Sequence, residues 1–201
     1  MTRRELLRQM GFVIGVAAGL PSLVRAQARR QGLAAVGDVL VSLTPAEAET
    51  LRAIIARIVP ADENGPGALE ARADRFIDRA LAGALKNQRS AYSDGLASVE
   101  AYARSVKGGA FSKLSQDDQD AVLTAIQTSS VQFFDLIRAH TIQGTFSDPV
   151  YGGNENFIGW DLIGYPGARI AVSANLQRMD MKPEPSRKSA YDYGMFNKTE
   201  L

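Results

Sequence analysis

Apolar residues recur at helical spacing in five separate runs between Leu43 and Gly144, and most of these runs have a recognisable start or stop. The first begins at Thr44-Pro45-Ala46-Glu47, which sets a threonine at the N-cap, proline at the first helical position and glutamate three residues past the cap. Leu51, Ile54, Ile55 and Ile58 follow on one face, and Pro60 ends the run. After a turn at Pro60 to Gly67, a second helix carries Phe76, Ile77, Ala80, Leu81 and Leu85 inward, with Arg72, Asp74, Asp78 and Arg79 on its polar side. A third opens near Ser90, with Tyr92, Leu96, Val99, Ala103 and Val106 as inner positions and Gly108-Gly109 as its stop. Phe111 and Leu114 pack in the link, and Ser115-Gln116-Asp117-Asp118 caps a fourth helix bearing Val122, Leu123 and Ile126. The fifth carries Val131, Phe133, Phe134, Leu136 and Ile137 and ends near Gly144.

From Phe146 to Gly167 the pattern changes to glycines interleaved with aromatics, a composition that predicts an ordered loop folded back on the helices, because its rings have area to bury. A short last helix is predicted from Ala168 to about Gln177. From Lys182 the chain turns polar, with Tyr191, Tyr193 and Phe196 near its end, and either hangs free or docks. Nowhere is period-two alternation sustained. The expectation is all-α: one compact domain of five to six helices over residues 43–181, with a long glycine- and aromatic-rich loop, a flexible lead at 29–42 and a polar tail at 182–201.

The first 28 residues read as a leader. Arg3 and Arg4, followed by Leu6, Leu7 and Arg8, precede an apolar, glycine-containing run from Met10 to Leu23. That run is roughly 14 residues, too short for a permanent span, and Ala26 and Ala28 offer the small residues of a cleavage site after Ala28. The arginine pair and the weakly hydrophobic run resemble a twin-arginine (Tat) signal more than an ordinary Sec signal, although leucine and arginine stand where phenylalanine and lysine are usual. A Tat passenger crosses folded.

Removing that segment leaves about 170 residues, enough for a single core. The formal net charge is +1 with several cations in the leader, so the remainder is slightly acidic and carries no signature of nucleic-acid binding. The chain contains no cysteine, which excludes disulfides, iron–sulfur clusters and thioether-bound haem. With His140 as the one histidine, a zinc or non-haem iron site is improbable.

Thr141, Gly144, Phe146, Asp148-Pro149, Tyr151-Gly152-Gly153-Asn154, Gly159-Trp160 and Ile163-Gly164-Tyr165-Pro166-Gly167 together resemble the signature of the gluconate 2-dehydrogenase subunit 3 family. Ile58-Val59-Pro60-Ala61-Asp62 with Gly65-Pro66-Gly67-Ala68 is similar to that family's first-helix exit, and the resemblance spans roughly Leu43 to Met181. It implies a small subunit of a periplasmic, membrane-associated dehydrogenase complex. In such a complex an FAD-carrying large subunit of the glucose–methanol–choline type oxidises a sugar or sugar acid, and a multi-haem cytochrome c takes the electrons. The small subunit supplies the Tat signal on which the folded flavoprotein travels. Partnership is what the resemblance implies here: no catalytic, cofactor or metal residues are expected, and residues 148–167 of the signature are expected to face the partner.

Each sharper reading has a plainer competitor. Gly152-Gly153-Asn154 fits a tight turn with positive φ better than a phosphate cradle, since no Walker or Rossmann pattern surrounds it. Trp160 and Tyr165 either stack a sugar or, preferably, lock the loop or meet a partner. His140 lacks a partner acid or nucleophile in any motif and reads as structural, where a cation would suit the end of its helix. Asp62, Glu63 and Asn64 lack the spacing of an EF-hand, and Asp117, Asp118 and Asp120 read as a solvated helix start. Two other functions stay in view: a stand-alone periplasmic ligand-binding module using the aromatic loop, and an enzyme in its own right, for which converging titratable groups are wanting.

Overall fold

In the computed structural model the residues described are 39–180 and 183–196, and those from Leu40 onward belong to one compact unit. The leader positions Arg3, Arg4, Leu6, Leu7, Ala26 and Ala28 lie outside them. Among the described residues there are six α-helices: α1 (Pro45–Ile58), α2 (Ala73–Ala82), α3 (Arg89–Lys107), α4 (Gln116–Ser129), α5 (Val131–Phe146) and α6 (Ile158–Ile163). The only β-type pairing described is an isolated bridge between Asp62 and Gly65, so the class is all-α. No described helix is long and apolar enough to cross a membrane.

Helix α1 starts where its sequence says: Thr44 accepts from the Glu47 backbone N–H, and Glu47 accepts from that of Thr44 at 2.8 Å. It is the central helix, touching α2, α3, α4 and α5. Leu51, Ile54 and Ile55 are fully buried on it, each a stabilisation of roughly 1.5–3 kcal/mol. Around them close Ile77 and Leu81 of α2, Tyr92, Leu96 and Val99 of α3, Val122 and Ile126 of α4, and Phe133 and Ile137 of α5. Gly95 lets α3 and α5 meet, because a Cβ there would sit inside the Phe133 ring. Helix α3 ends at Gly108 in the left-handed region, φ 73°, as the glycine pair predicts.

Three local expectations are corrected. Asp74 and Asp78 are not on a polar face of α2 but buried: one oxygen of Asp74 meets the Arg52 guanidinium at 2.8 Å and the other lies 3.5 Å from that of Arg72, while Asp78 accepts three backbone N–H groups in place of water. Val106 and Val131, expected inward, are half-exposed: they lie at the last turn of α3 and the first residue of α5. Helix α5 ends at Phe146, two residues past Gly144, and Gly144 itself marks a close crossing with α2. A Cβ at Gly144 would lie 2.9 Å from the Ala73 Cα. Finally, residues 168–177 form no α-helix: the stretch is largely exposed and irregular, with one 3-10 turn at Ala174–Gln177, and Ile170 and Val172 bury less than half of their surface, too little to hold a short helix in place.

Asp120 is also more than a solvated cap residue. Its carboxylate takes the Arg57 guanidinium in a two-point bond, 2.7 Å on each side, tying α4 to α1.

Candidate functional site: the glycine–aromatic loop and its tail

The loop after α5 is built on backbone contact. Asp148 caps a 3-10 turn at Pro149–Tyr151 by accepting from the Val150 N–H, and Gly152 closes the turn at φ 99°. Gly153 then lies directly on α5, where a Cβ would collide with the Gly144 carbonyl; at Gly159 a Cβ would collide with the Thr145 carbonyl. The expectation of a tight turn with positive φ therefore describes Gly152, while Gly153 is required for close approach.

Asn154, fully buried, joins three segments. Its backbone N–H donates to the Gly144 carbonyl at 2.8 Å, its side-chain amide donates to the Ser147 carbonyl at 2.8 Å, and its Oδ1 accepts from the Gly159 N–H at 2.8 Å. These bonds hold Asn154, Asn156 and Phe157 at φ 45°, 55° and 63°, a backbone region that non-glycine residues seldom occupy. The strain sits in a loop fixed from both ends.

Trp160 is buried. Its indole N–H donates to the Phe146 carbonyl at 2.9 Å, and its ring packs edge-on against Tyr165 with centroids 4.9 Å apart. Its polar tip is thus spent on locking the loop. The crevice beside it, between Phe157, Tyr165, Pro185 and Arg187, has no room for even a water-sized sphere. Tyr165 keeps 43% of its surface exposed.

The tail docks on this loop. Ser189 Oγ donates to Asp148 at 2.7 Å and the Ala190 N–H donates to the other oxygen of Asp148 at 2.9 Å. Arg187 pairs with Asp161 at 2.7 Å, and the Tyr193 hydroxyl donates to the Ala168 carbonyl at 2.9 Å. Asp148, expected to face a partner, spends its carboxylate on the chain's own tail, and Gly167, also in the signature, is buried under Ser186. Tyr151, Val150, Ile163 and Tyr165 point outward.

Together loop and tail make the apolar side of the molecule. Among the described residues, eleven of the seventeen exposed large apolar ones fall between Val150 and Phe196, including Tyr151, Ile163, Tyr191, Met195 and Phe196. The helices α1, α2 and α4 contribute none.

Away from the loop, His140 is buried on α5 and its Nδ1 is 2.9 Å from the Tyr92 hydroxyl, with the two rings parallel. Burial lowers its pKa, so it is a neutral, hydrogen-bonded core histidine and not the helix-end cation its position suggests. Burial pushes the Tyr92 phenol up, keeping it protonated. Asp62 accepts from the Asn64 N–H at 2.8 Å within its own turn, and among the described residues no group of three or more histidines and acids could hold a metal ion.

The fold and this site define an all-α domain whose last long helix is wrapped by a strained, backbone-packed loop with an apolar outer side. A sequence profile described as Gluconate 2-dehydrogenase subunit 3 matches residues 45–167, more than half of the chain, and the protein belongs to that family. It is by family an accessory subunit of a dehydrogenase. The match ends at Gly167, where the loop ends, so the tail lies beyond it. No curated protein and no solved structure matches the chain significantly.

Proposed function

We propose that this chain is the non-catalytic small subunit of a periplasmic, membrane-associated, FAD-dependent oxidoreductase complex of the gluconate 2-dehydrogenase kind. FAD belongs to a glucose–methanol–choline-type large subunit and haem c to a multi-haem cytochrome subunit. The small subunit supports maturation of the flavoprotein and brings it through the Tat translocase on its own twin-arginine leader. Family membership over residues 45–167 is the observation that carries this reading. The concentration of exposed apolar side chains on the loop and tail supports a role exercised through contact with another protein.

Affinity purification of the tagged chain from periplasmic and membrane fractions, with an absorbance spectrum of the eluate, tests it. A flavoprotein-sized partner with flavin absorbance is the expected result, and a colourless monomer would overturn the reading. Replacing Arg3 and Arg4 by lysine should strand both subunits in the cytoplasm. Loss of this chain alone from the periplasm would contradict shared export.

A further inference from the structure

We propose that residues 183–196 form a releasable latch, held by Asp148 and Asp161, that closes the glycine–aromatic loop over Trp160. The consequence for partner access rests on the proposed function; the latch itself does not.

The latch is attached mainly by polar contacts. Ser189 and Ala190 share the two oxygens of Asp148, Arg187 reaches Asp161, the Ser186 N–H donates to the Pro166 carbonyl at 2.6 Å, and Tyr193 reaches the Ala168 carbonyl. Ser189 is its one buried residue; Tyr191 packs edge-on against Tyr151 and Tyr193 is half-buried, but Met195 and Phe196 stay 71% and 49% exposed. Little apolar area opposes its detachment.

Two further features set it apart from the body of the domain. The buried core runs from Leu43 to Ile137 and includes nothing from the latch, so the helices do not depend on it. Arg187 sits at φ 45°, a costly conformation for a side chain of that size, and it is there that the guanidinium meets Asp161. Release relieves that strain and frees two carboxylates and the Ala168 carbonyl. It also opens the face of Trp160 that Pro185 and Arg187 now line. Closed, the latch occupies the signature positions Asp148 and Gly167; open, it leaves them to a partner.

Trp160 is the only tryptophan in the chain, which makes closure directly readable. The experiment uses the full chain and measures acrylamide quenching of Trp160 together with amide hydrogen exchange, in the native sequence and in Arg187→Ala, Asp148→Asn and Tyr193→Phe. In the native chain, amides of residues 189–193 should exchange at least tenfold faster than those in the middle of α1 and α5, yet slower than an unstructured chain. Arg187→Ala and Asp148→Asn should each speed them about tenfold further and raise quenching of Trp160, with exchange in α1–α5 unchanged. Tyr193→Phe, which removes one hydroxyl, should give a smaller change of the same sign. Latch amides protected as well as the helices would overturn the proposal, as would latch amides exchanging freely in the native chain. So would loss of helix protection in all three variants.

Discussion

Removing the Asp78 carboxylate should cost the domain far more than its place on an apparent polar face suggests. One oxygen accepts from the N–H groups of Ser42 and Leu43 at 3.0 and 2.8 Å, and the other from Val41 at 2.7 Å. The Leu43 bond is buried and the other two are partly so. Hydrogen bonds to a charged acceptor contribute about 1.5–3 kcal/mol each, but the outer two donors regain water when the arm frays. Asp78→Ala is therefore expected to destabilise by about 2–4 kcal/mol, and at roughly 2–4 °C per kcal/mol for a domain of this size the Tm should fall by about 4–16 °C. Asp78→Asn separates the contributions: Oδ1 can still take Ser42 and Leu43, while the amide turns a donor towards the Val41 N–H, so a loss of about 1 kcal/mol is expected. Thermal unfolding followed by far-UV circular dichroism gives both values, and limited proteolysis reports whether the arm at 41–43 comes loose first. An Asp78→Ala Tm within about 2 °C of the native chain would refute the account, since a buried anchor of three donors cannot be neutral.

Gly153→Ala, which sets a methyl into the Gly144 carbonyl, should destabilise by about 3 kcal/mol or more, whereas Gly164→Ala, at φ 67° with no neighbour within 4 Å, should cost only about 1 kcal/mol; chemical denaturation compares them. Tyr92→Phe leaves the buried Nδ1 of His140 without its partner and should cost about 1–2 kcal/mol by the same method. Because burial lowers the pKa of His140 in the folded state, the unfolded chain takes up a proton first as pH falls. Stability attributable to this group is complete above its ordinary value near 6.5 and declines as pH drops from there towards the folded-state value. His140→Gln should flatten that decline, and an unchanged profile of Tm against pH would contradict it.

The helices were legible because their signals are local. The Thr44 and Ser115 caps, the Leu51, Ile54, Ile55 triplet and the Gly108 stop depend on a few neighbouring residues, and each does what its chemistry predicts. Misreadings came where distant chain decides. Asp78 looks solvated until the arm at 41–43 folds against it, and Asp120, still half-exposed, gives no local sign of the Arg57 that reaches it from α1. Gly144 reads as a stop by residue type, yet its role is to let Ala73 and Gly153 approach α5 from outside. The loop could be predicted as ordered from its rings, but the part played by Asn154 left no signal in spacing, because its bonds go to Gly144, Ser147 and Gly159 through main-chain atoms that every residue has. The same holds for the tail, whose docking rests on an ordinary serine and a backbone N–H at Asp148.

The backbone-on-backbone seating of Gly153 and Gly159 upon α5 has a bearing on how such a loop diversifies. Its course is dictated by main-chain atoms, by Asn154 and by the packing of Tyr165 on Trp160, so the outward side chains Val150, Tyr151 and Ile163 carry little responsibility for it. They amount to an interchangeable faceplate on a fixed mount. Substitutions there can reshape the outer surface without redirecting the backbone, whereas any side chain added to the glycines beneath would strike the carbonyls of Gly144 and Thr145.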